Sequence, residues 1–511
     1  MQREEWLSKS EKILTDVKEW RKAHPKATFV EIEDEVHRRM MQLEAQLLQD
    51  AAQESSSRAW GKDMGEEAPR CSRCQVPLQA RGQHARTVQG NGGESVTLLR
   101  TYGTCPHCGE SFFPLDEELA LLPGTLAPRQ QSHLVQLGSW MPFRHASRML
   151  RELLAVHVSP ETARRLCEDV GHQVEEQQTA EAHQPWKEED DGRENDSCLV
   201  ISADGAMVPL TGGEWAEVRT LAIGEVPTGP TSPEKVHVGE LSYFSRLTDA
   251  AHFTELAEVE TRRRHVIQAK AVGAVMDGAE WLQTLVDIHR GDAVRILDFP
   301  HAAEHLSQLV EGLGAGGRTF PEHMLERCLH VLKHRGPSPL LRMAERLPKD
   351  EAQQGTVREH LEYLRKRQAL MQYPTFQQAG WPIGSGMVES ANKVVVEARL
   401  KGTGMRWKRA NVNPMLALRN GVCNQRWLET WQTASQQRRR RLSQHRQRTT
   451  QRQEVASVLP NPTRLTPAPV PPYVPLLPPE PPAMIAGTSR PSSHHPWKRS
   501  PACRPKPFAK T

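Results

Sequence analysis

Two pairs of cysteines constrain the fold of this chain more than any other sequence feature. Cys71 and Cys74 form the first pair, and Cys105 and Cys108 form the second. Each Cys-x-x-Cys bends the backbone so that two thiolates share one tetrahedral ion, and the alternating stretch between the pairs is typical of short strands. The pattern predicts a four-thiolate zinc ribbon over residues 68–113. A redox dithiol is the alternative, and the second pair disfavours it.

Length, cysteine usage and charge limit the class of protein. The 511 residues are enough for several domains, and nine cysteines are too few for a disulfide framework. Because the chain has no run of 18 apolar residues and starts without an apolar signal segment, we expect a cytoplasmic protein with no membrane partner. Fourteen basic and three acidic residues between Glu389 and Thr450 predict a polyanionic partner.

Helical patterns flank the predicted ribbon. Apolar residues recur at three- and four-residue steps in residues 1–57, which indicates an N-terminal helical packing segment. Residues 125–178 contain a helix, a short turn and a second helix that Ser159 caps and that carries Arg164 and Arg165. This arrangement is typical of a helix-turn-helix DNA-binding region, although an ordinary helical hairpin has the same signature. Residues 179–196 are acidic and aperiodic, as in a linker.

Acidic residues accompany successive predicted strands in residues 197–432. Asp204 follows the apolar part of the first strand, Asp277 and Asp298 follow two later strands, and Glu389 lies in the first turns of a helix. Open α/β sheets place their active sites at the carboxyl edge, so we expect these carboxylates to converge. Converging carboxylates repel one another unless they bind cations, and oxygen ligands suit two Mg2+ or Mn2+ ions. Residues 302–375 have no sheet pattern and are expected to form a helical insertion.

These motifs resemble those of a bacterial insertion-sequence transposase of the DDE class, and most closely the ISKra4 family. The resemblance covers roughly residues 20–432. Besides the cysteine pairs it rests on PLDEELAL (114–121), ADGAMV (203–208) with Trp215, MDGAEWL (276–282), ILDFPHAAEHL (296–306), GSGMVESANK (384–393) and LKGTGMRW (400–407).

The resemblance implies a fold, an activity and partners. The implied fold is an α/β RNase H-like catalytic core with an α-helical insertion, preceded by an α-helical N-terminus, a small zinc ribbon and a helix-turn-helix-like region. The implied activity is metal-dependent cleavage and transfer of DNA strands at the terminal inverted repeats of the element, into target DNA. A homo-oligomer on DNA, associated with the bacterial nucleoid, would carry it out.

The resemblance also assigns roles to the acidic residues. It makes Asp204 the first magnesium ligand and Glu389 the third. In several related superfamilies the second catalytic aspartate ends the fourth strand, and an Asp-x-x-His signature follows on the fifth. We therefore prefer Asp277 as the second ligand, with Asp298 and His301 as an auxiliary pair. Alternatively, Asp298 is the ligand and Asp277 a turn residue, and His301 only caps its helix.

Polar and basic residues beyond Glu389 are the remaining predicted DNA contacts. Asn392 and Lys393 follow it by about one helical turn, and a basic run with one aromatic residue offers phosphate contacts and a stacking surface. A solvated basic face is the alternative reading of this run, whose members are Lys401, Arg406, Trp407, Lys408 and Arg409. Residues 433–511 are rich in arginine and then in proline, so we expect a disordered tail that adds DNA affinity or has no function.

Two other functions share parts of this pattern. A zinc-containing DNA-binding regulator with a decayed acidic site would retain the ribbon and the helices. An RNase H-like nuclease without strand transfer would share the whole metal chemistry, so the sequence does not separate it from a transposase.

Overall fold

A five-stranded mixed sheet organises the C-terminal half of the chain. The computed structural model describes residues 3–61, 68–185, 195–227, 236–348 and 355–458. The eight strands in these ranges are β1 (Gln79–Gln89), β2 (Ser95–Thr104), β3 (Ser111–Phe112), β4 (Asn195–Pro209), β5 (Trp215–Val226), β6 (Gly239–Arg246), β7 (Ala269–Met276) and β8 (Val294–Leu297).

The helices precede, alternate with and follow these strands. The first half contains α1 (Arg3–Ala23), α2 (Phe29–Gln53), α3 (Pro114–Glu118), α4 (Pro128–Trp140), α5 (Phe143–Leu154) and α6 (Pro160–Ala182). The second half contains α7 (Ala250–Arg263), α8 (Glu280–Arg290), α9 (Phe299–Ala315), α10 (Met324–Arg335), α11 (Ser338–Ala344), α12 (Gly355–Lys366), α13 (Tyr373–Gln378), α14 (Gly386–Ala391), α15 (Ala398–Leu400), α16 (Arg409–Cys423) and α17 (Trp427–Val458). A π-helical segment, Asn392–Glu397, joins α14 to α15.

The large sheet has the strand order β6-β5-β4-β7-β8. β5 is antiparallel to both of its neighbours, β4 and β6, whereas β7 and β8 run parallel to β4. Parallel pairing aligns Ile201 with Ala274 and Met276 with Leu297. Continuing this register by a few residues brings Asp204, Asp277 and Asp298 level with one another.

Apolar side chains cover both faces of this sheet. Val200 and Val275 pack on one face against the helical insertion α9 to α13. Leu199, Ile201 and Ala274 point to the other face and pack against α7 and α8. Successive residues of β4 point to opposite faces of the sheet, and both faces are covered. This explains why the apolar run of β4 is nearly continuous.

The predicted DNA-binding region shares a core with the sheet domain. Val135 and Val170, from α4 and α6, pack in one cluster with Val208 of β4 and Leu416 of α16. Residues 1–451 accordingly form one compact unit. Helices α4 and α5 lie within the predicted range 125–178, α6 begins within it, and the two N-terminal helices lie within 1–57.

Two sequence boundaries differ from the structure. Helix α6 continues to Ala182 and β4 begins at Asn195, so only the middle of the predicted linker remains, and residues 186–194 lie outside the described residues. The predicted disordered tail is wrong for 433–458, which belong to α17. Its basic run is stabilised by carboxylates of the preceding helices, because Arg438 is buried and pairs with Asp169 at 2.7 Å. The rest of the predicted tail, 459–511, lies outside the described residues.

The mixed α/β class expected from the sequence is confirmed, together with a four-cysteine cluster in the turns before β1 and between β2 and β3 of the small sheet. No helix in the described ranges is both long and apolar enough to cross a membrane.

Candidate metal centres and active site

The four cysteines of the ribbon come together as predicted. The Sγ atoms of Cys71, Cys74, Cys105 and Cys108 all lie within 4.8 Å of one another. The Sγ atoms of Cys71 and Cys108 are 3.7 Å apart. A tetrahedral zinc ion with Zn–S bonds of about 2.3 Å requires S···S separations of about 3.8 Å. The donor set and its spacing therefore fit zinc.

Two similar turns bring the sulfurs together. The Gln75 N–H donates to the Cys71 carbonyl, and the Gly109 N–H donates to the Cys105 carbonyl, both at 3.0 Å. Gln75 and Gly109 each have a positive φ, which reverses the chain directly after the second cysteine of each pair. Burial raises the pKa of the Cys71 thiol to about 11. Closely spaced thiolates in this position need a cation to offset the loss of solvation.

The acidic residues approach one another at the carboxyl end of β7. Burial raises the pKa of Asp204, and the negative charges of Asp277 and Glu389 raise it further, while the Gly205 N–H and the positive charge of His301 oppose these effects. Asp277, His301 and Glu389 therefore act electrostatically on Asp204. Their carboxylate oxygens are not as tightly clustered as the sulfurs, since only the four cysteines form a compact ligand group within the described residues.

Asp204 lies within β4 and not at its end. The strand continues to Pro209, and Asp204 is opposite Thr220 of β5. Its Oδ1 accepts the Gly205 N–H at 2.7 Å, and its Oδ2 accepts the side-chain amide of Asn392 at 3.1 Å. Asp204 is half-buried, so its carboxylate remains partly open to solvent.

Asn392 takes a different position from the predicted one. Its side chain is 6% exposed and points toward Asp204, and its Oδ1 has no hydrogen-bond partner among the described residues. The π-helical segment that begins at Asn392 changes the helical phase directly after Glu389. Lys393, the next residue, is exposed, so the two predicted DNA contacts lie in different environments.

Asp277 belongs to a turn that the helical insertion stabilises. Its Oδ1 accepts the Ala279 N–H at 2.8 Å, and its carbonyl accepts the Tyr363 hydroxyl at 2.6 Å. Arg367 donates to the Gly278 carbonyl through Nη2 at 2.7 Å. Gly278 has a φ of +83°, and a Cβ there would lie 2.6 Å from the Arg367 Nε, so this turn requires glycine.

Tyr363 and Arg367 are functional candidates that the sequence patterns do not reveal. The Tyr363 ring stacks on His305 at 3.6 Å, and the Arg367 guanidinium lies 3.7 Å from the same ring. Tyr363 lies on α12 and Arg367 directly follows it, more than 80 positions after the turn that they contact. Their helical spacing indicates a shared face, but no local signal identifies its partner.

Asp298 is a buried connector with both carboxylate oxygens engaged. It caps α9 and is completely buried. Its Oδ1 accepts the Ser385 N–H at 2.6 Å, and its Oδ2 lies 3.0 Å from His301 Nδ1 and accepts the His301 N–H at 3.3 Å. The hydrogen bond to Asp298 raises the pKa of His301, which is half-exposed. Asp298 thereby connects β8 to the turn that precedes Glu389.

Glu389 is on α14, directly after that turn. Its side chain is exposed. Met387, Val388 and Ala391 are the buried residues of this short helix. Their burial orients the helix and leaves Glu389 on its open side.

Most basic residues of the predicted DNA-binding run are exposed, whereas its one aromatic residue, Trp407, is buried. Arg406, Lys408 and Arg409 are exposed, while Lys401 pairs with Glu397 at 2.6 Å. The prediction of a stacking surface is wrong for Trp407, which is 7% exposed. Its backbone N–H donates to the Pro209 carbonyl and its indole N–H donates to the Leu400 carbonyl, so the aromatic ring fixes this loop against β4.

Arg164 and Arg165 are both engaged by acids of their own helix. Arg164 pairs with Glu161 at 2.7 Å and with Glu168 at 2.5 Å, and Arg165 pairs with Glu161 at 2.8 Å. These ion pairs lower the pKa of Glu161 to about 2, in a fully exposed position. The two arginines are therefore largely compensated before any polyanion arrives.

The site thus combines partly open carboxylates at one edge of a sheet with a separate four-thiolate centre. Such an arrangement suits cation-assisted chemistry at the carboxylates and a structural ion in the ribbon. In comparisons with known proteins, no family model and no curated sequence matches this chain.

Proposed function

We propose that the chain is a DDE-class transposase, similar to the ISKra4 family and built on an RNase H-like core. It would cleave and transfer DNA strands at the terminal inverted repeats of its own element. The observation that carries this proposal is the 3.1 Å hydrogen bond from the Asn392 amide, three residues after Glu389, to Asp204 Oδ2, which brings the helix of the third carboxylate to the first. The sheet order and the level register of the aspartates also support it.

The contacts of the two candidate aspartates favour Asp277 as the second ligand. Asp298 is completely buried and accepts hydrogen bonds on both oxygens, so a cation would have to displace them. Asp277 is half-buried and uses only Oδ1 in a turn. We assign Asp298 and His301 to positioning, because they connect α9 to the turn before Glu389.

Asp204, Asp277 and Glu389 would hold Mg2+ or Mn2+, which lowers the pKa of an attacking hydroxyl and stabilises the leaving oxygen in phosphodiester chemistry. The chain's own groups then have three tasks. The Asn392 amide orients Asp204. Tyr363 and Arg367 fix the backbone after β7. The exposed Lys393, Arg406, Lys408 and Arg409 offer charge to DNA phosphates.

Water would be the first nucleophile and a DNA 3′-hydroxyl the second. Each attack forms one phosphorus–oxygen bond and breaks another, and the proton of the attacking hydroxyl passes through solvent to the leaving oxygen, so no covalent enzyme adduct is required. The number of phosphodiester bonds is unchanged in the transfer step.

The test is divalent-cation-dependent cleavage and strand transfer on DNA that carries the inverted repeats flanking the gene. Asp204→Asn, Asp277→Asn and Glu389→Gln are each expected to reduce both steps at least about 100-fold, as loss of a group that stabilises developing charge does. Asp298→Asn is expected to weaken them less. If Asp298→Asn abolishes cleavage and strand transfer while Asp277→Asn retains them, the assignments of the two aspartates are exchanged.

Two outcomes would replace the proposal. Sequence-specific DNA binding by the wild type without cleavage would favour the regulator with a decayed acidic site. Cleavage without any joined product would favour the nuclease.

A further inference from the structure

The surface of α5 carries a row of basic side chains that the sequence patterns do not single out. Arg144, Arg148 and Arg151 follow one another at four- and three-residue steps and are all exposed. Ala146, Ser147 and Leu150 occupy the buried side of the same helix. With a rise of about 1.5 Å per residue, the three guanidinium groups start from backbone positions that span about 10 Å.

A groove of about 500 Å³ lies along this row. It is lined by Arg144, Ser147, Arg148, Arg151, His157, Val158, Ser159 and Pro160. Its far side is formed by the turn before α6 and by the start of that helix, whose cap is Ser159. The positive end of the helix dipole therefore faces the same region as the arginines.

Two of these arginines carry uncompensated charge. Arg148 pairs with Glu152 at 2.7 Å. Within the described ranges, neither the Arg144 nor the Arg151 guanidinium group has a carboxylate partner or a hydrogen bond. The opposite holds for Arg164 and Arg165, whose charges Glu161 and Glu168 offset.

The turn that closes the groove is held by the zinc ribbon. The His157 N–H donates to the side-chain oxygen of Gln89 in β1 at 3.1 Å. Ala155 adopts a left-handed conformation, and its carbonyl lies so close to Gly93 that a Cβ there would be 2.4 Å away. The groove is therefore braced from outside the helical region, which reduces the ordering that a ligand must impose.

We propose that this groove, formed by α5 and the start of α6, binds the phosphate backbone of double-stranded DNA. A span of about 10 Å corresponds to roughly three phosphates on one strand, at about 3.4 Å of axis per charge. Arginine suits phosphate because its planar donors bind two oxygens at once. The proposal rests on the proposed function for its choice of DNA as partner, and it moves the main contact from Arg164 and Arg165 to Arg144 and Arg151.

Fluorescence anisotropy measures binding of the full chain to a duplex of about 30 base pairs and random sequence, at salt concentrations between about 50 and 200 mM. Arg144→Gln/Arg151→Gln is expected to lower affinity at least about tenfold at the lower salt concentration. Because two phosphate contacts are lost, the slope of log affinity against log salt should become shallower by about 1.8. Arg144→Lys/Arg151→Lys should retain most of the slope, since it keeps both charges.

Arg164→Gln/Arg165→Gln is the matched control, because it also removes two positive charges from the same region. We expect it to change affinity less than about threefold, since both arginines are already paired. Zinc content and circular dichroism should be the same in all variants, which excludes misfolding as the cause.

Each outcome separates this proposal from the proposed function. The groove assignment would be overturned by any of three results. The first is unchanged DNA affinity in the Arg144→Gln/Arg151→Gln variant, and the second is an equal loss of affinity in the Arg164→Gln/Arg165→Gln control. The third is no duplex binding by the wild type. Strand cleavage by the wild type would leave the transposase proposal standing in the first two cases. Conversely, loss of binding in the groove variant with no cleavage by the wild type would support the groove and remove the transposase proposal.

Discussion

The cysteine cluster and the acidic site are assembled in opposite ways. Each half of the cysteine cluster is made by one short turn, and all four sulfurs lie within 4.8 Å of one another. The acidic site takes Asp204 from β4, Asp277 from the end of β7 and Glu389 from α14, and its oxygens are more widely spaced. Local turns alone fix the geometry of the cysteine site, which suits a single ion. The geometry of the acidic site depends instead on every tertiary contact that aligns its strands and helices.

Removal of the zinc site should have the largest effect on stability, and this effect should be confined to the ribbon. Structural zinc contributes roughly 10–16 kcal/mol of binding free energy in small zinc domains. We expect Cys105→Ser to lose bound zinc and to abolish hydrogen-exchange protection in β1 to β3, while β4 to β8 stay protected. Elemental analysis and exchange mass spectrometry measure both.

Cys328→Ser is the control for that experiment, because Cys328 lies in the helical insertion, away from the cluster. It should leave the zinc content unchanged. Equal loss of protection in the large sheet after Cys105→Ser would show that the two regions are not independent.

Asp298→Asn tests whether the acidic region depends on its connector. The asparagine still caps α9 but cannot accept every hydrogen bond that the buried carboxylate accepts. We expect a loss of about 2–3 kcal/mol in the free energy of unfolding by urea. Asp277→Asn should cost less than about 1 kcal/mol, because it also removes repulsion from Asp204. Equal losses would contradict the division of roles.

Two tyrosines provide a matched pair for the same question. The Tyr363 hydroxyl donates to the Asp277 carbonyl, and the Tyr373 hydroxyl donates to the Leu297 carbonyl, directly before Asp298. Each Tyr→Phe change should cost about 1 kcal/mol of stability. Only Tyr363→Phe should also weaken Mn2+ binding, by about tenfold, as losses around metal ligands do.

Titration calorimetry with Mn2+ decides between the two aspartates. Weakened binding after Tyr373→Phe, with normal binding after Tyr363→Phe, would indicate that the ligand follows β8 and not β7.

The smallest expected effect is a change in the pKa of Asp204. Burial and the charges of Asp277 and Glu389 raise this pKa in the metal-free protein. Because the folded-state pKa is above the unfolded one, the contribution of Asp204 to stability is present below the unfolded pKa and is lost as the pH rises through the folded pKa. Asp277→Asn should lower the pKa of Asp204, as followed by carbon NMR. Asp292→Asn removes an acid that does not act on Asp204 and should leave it unchanged.

Local patterns in the sequence predict the cysteine cluster almost completely, since each pair carries its own turn. The order of strands and acids also predicts the row of aspartates, because Asp277 and Asp298 directly follow adjacent parallel strands and Asp204 follows the apolar part of β4. Burial is what the sequence does not reveal. Trp407 reads as an exposed aromatic in a basic run, yet it packs against β4. Asp298 and Asp277 look alike as strand-end aspartates, and only the Ser385 N–H, from 87 residues away, makes one of them a connector.

The C-terminal helix α17 has a consequence for the order in which the protein is assembled. Arg446 pairs with Glu117 at 2.8 Å and lies 5.0 Å from the Phe112 ring, across 329 residues of sequence from Glu117. A ribosome that makes the chain from its N-terminus exposes the ribbon long before its partner helix exists. The ribbon therefore lacks its contacts with α17 until the sheet domain is complete, and a metal ion on the four cysteines would keep it folded until then. Bound zinc would then stabilise the ribbon during synthesis, before its contacts with α17 can form.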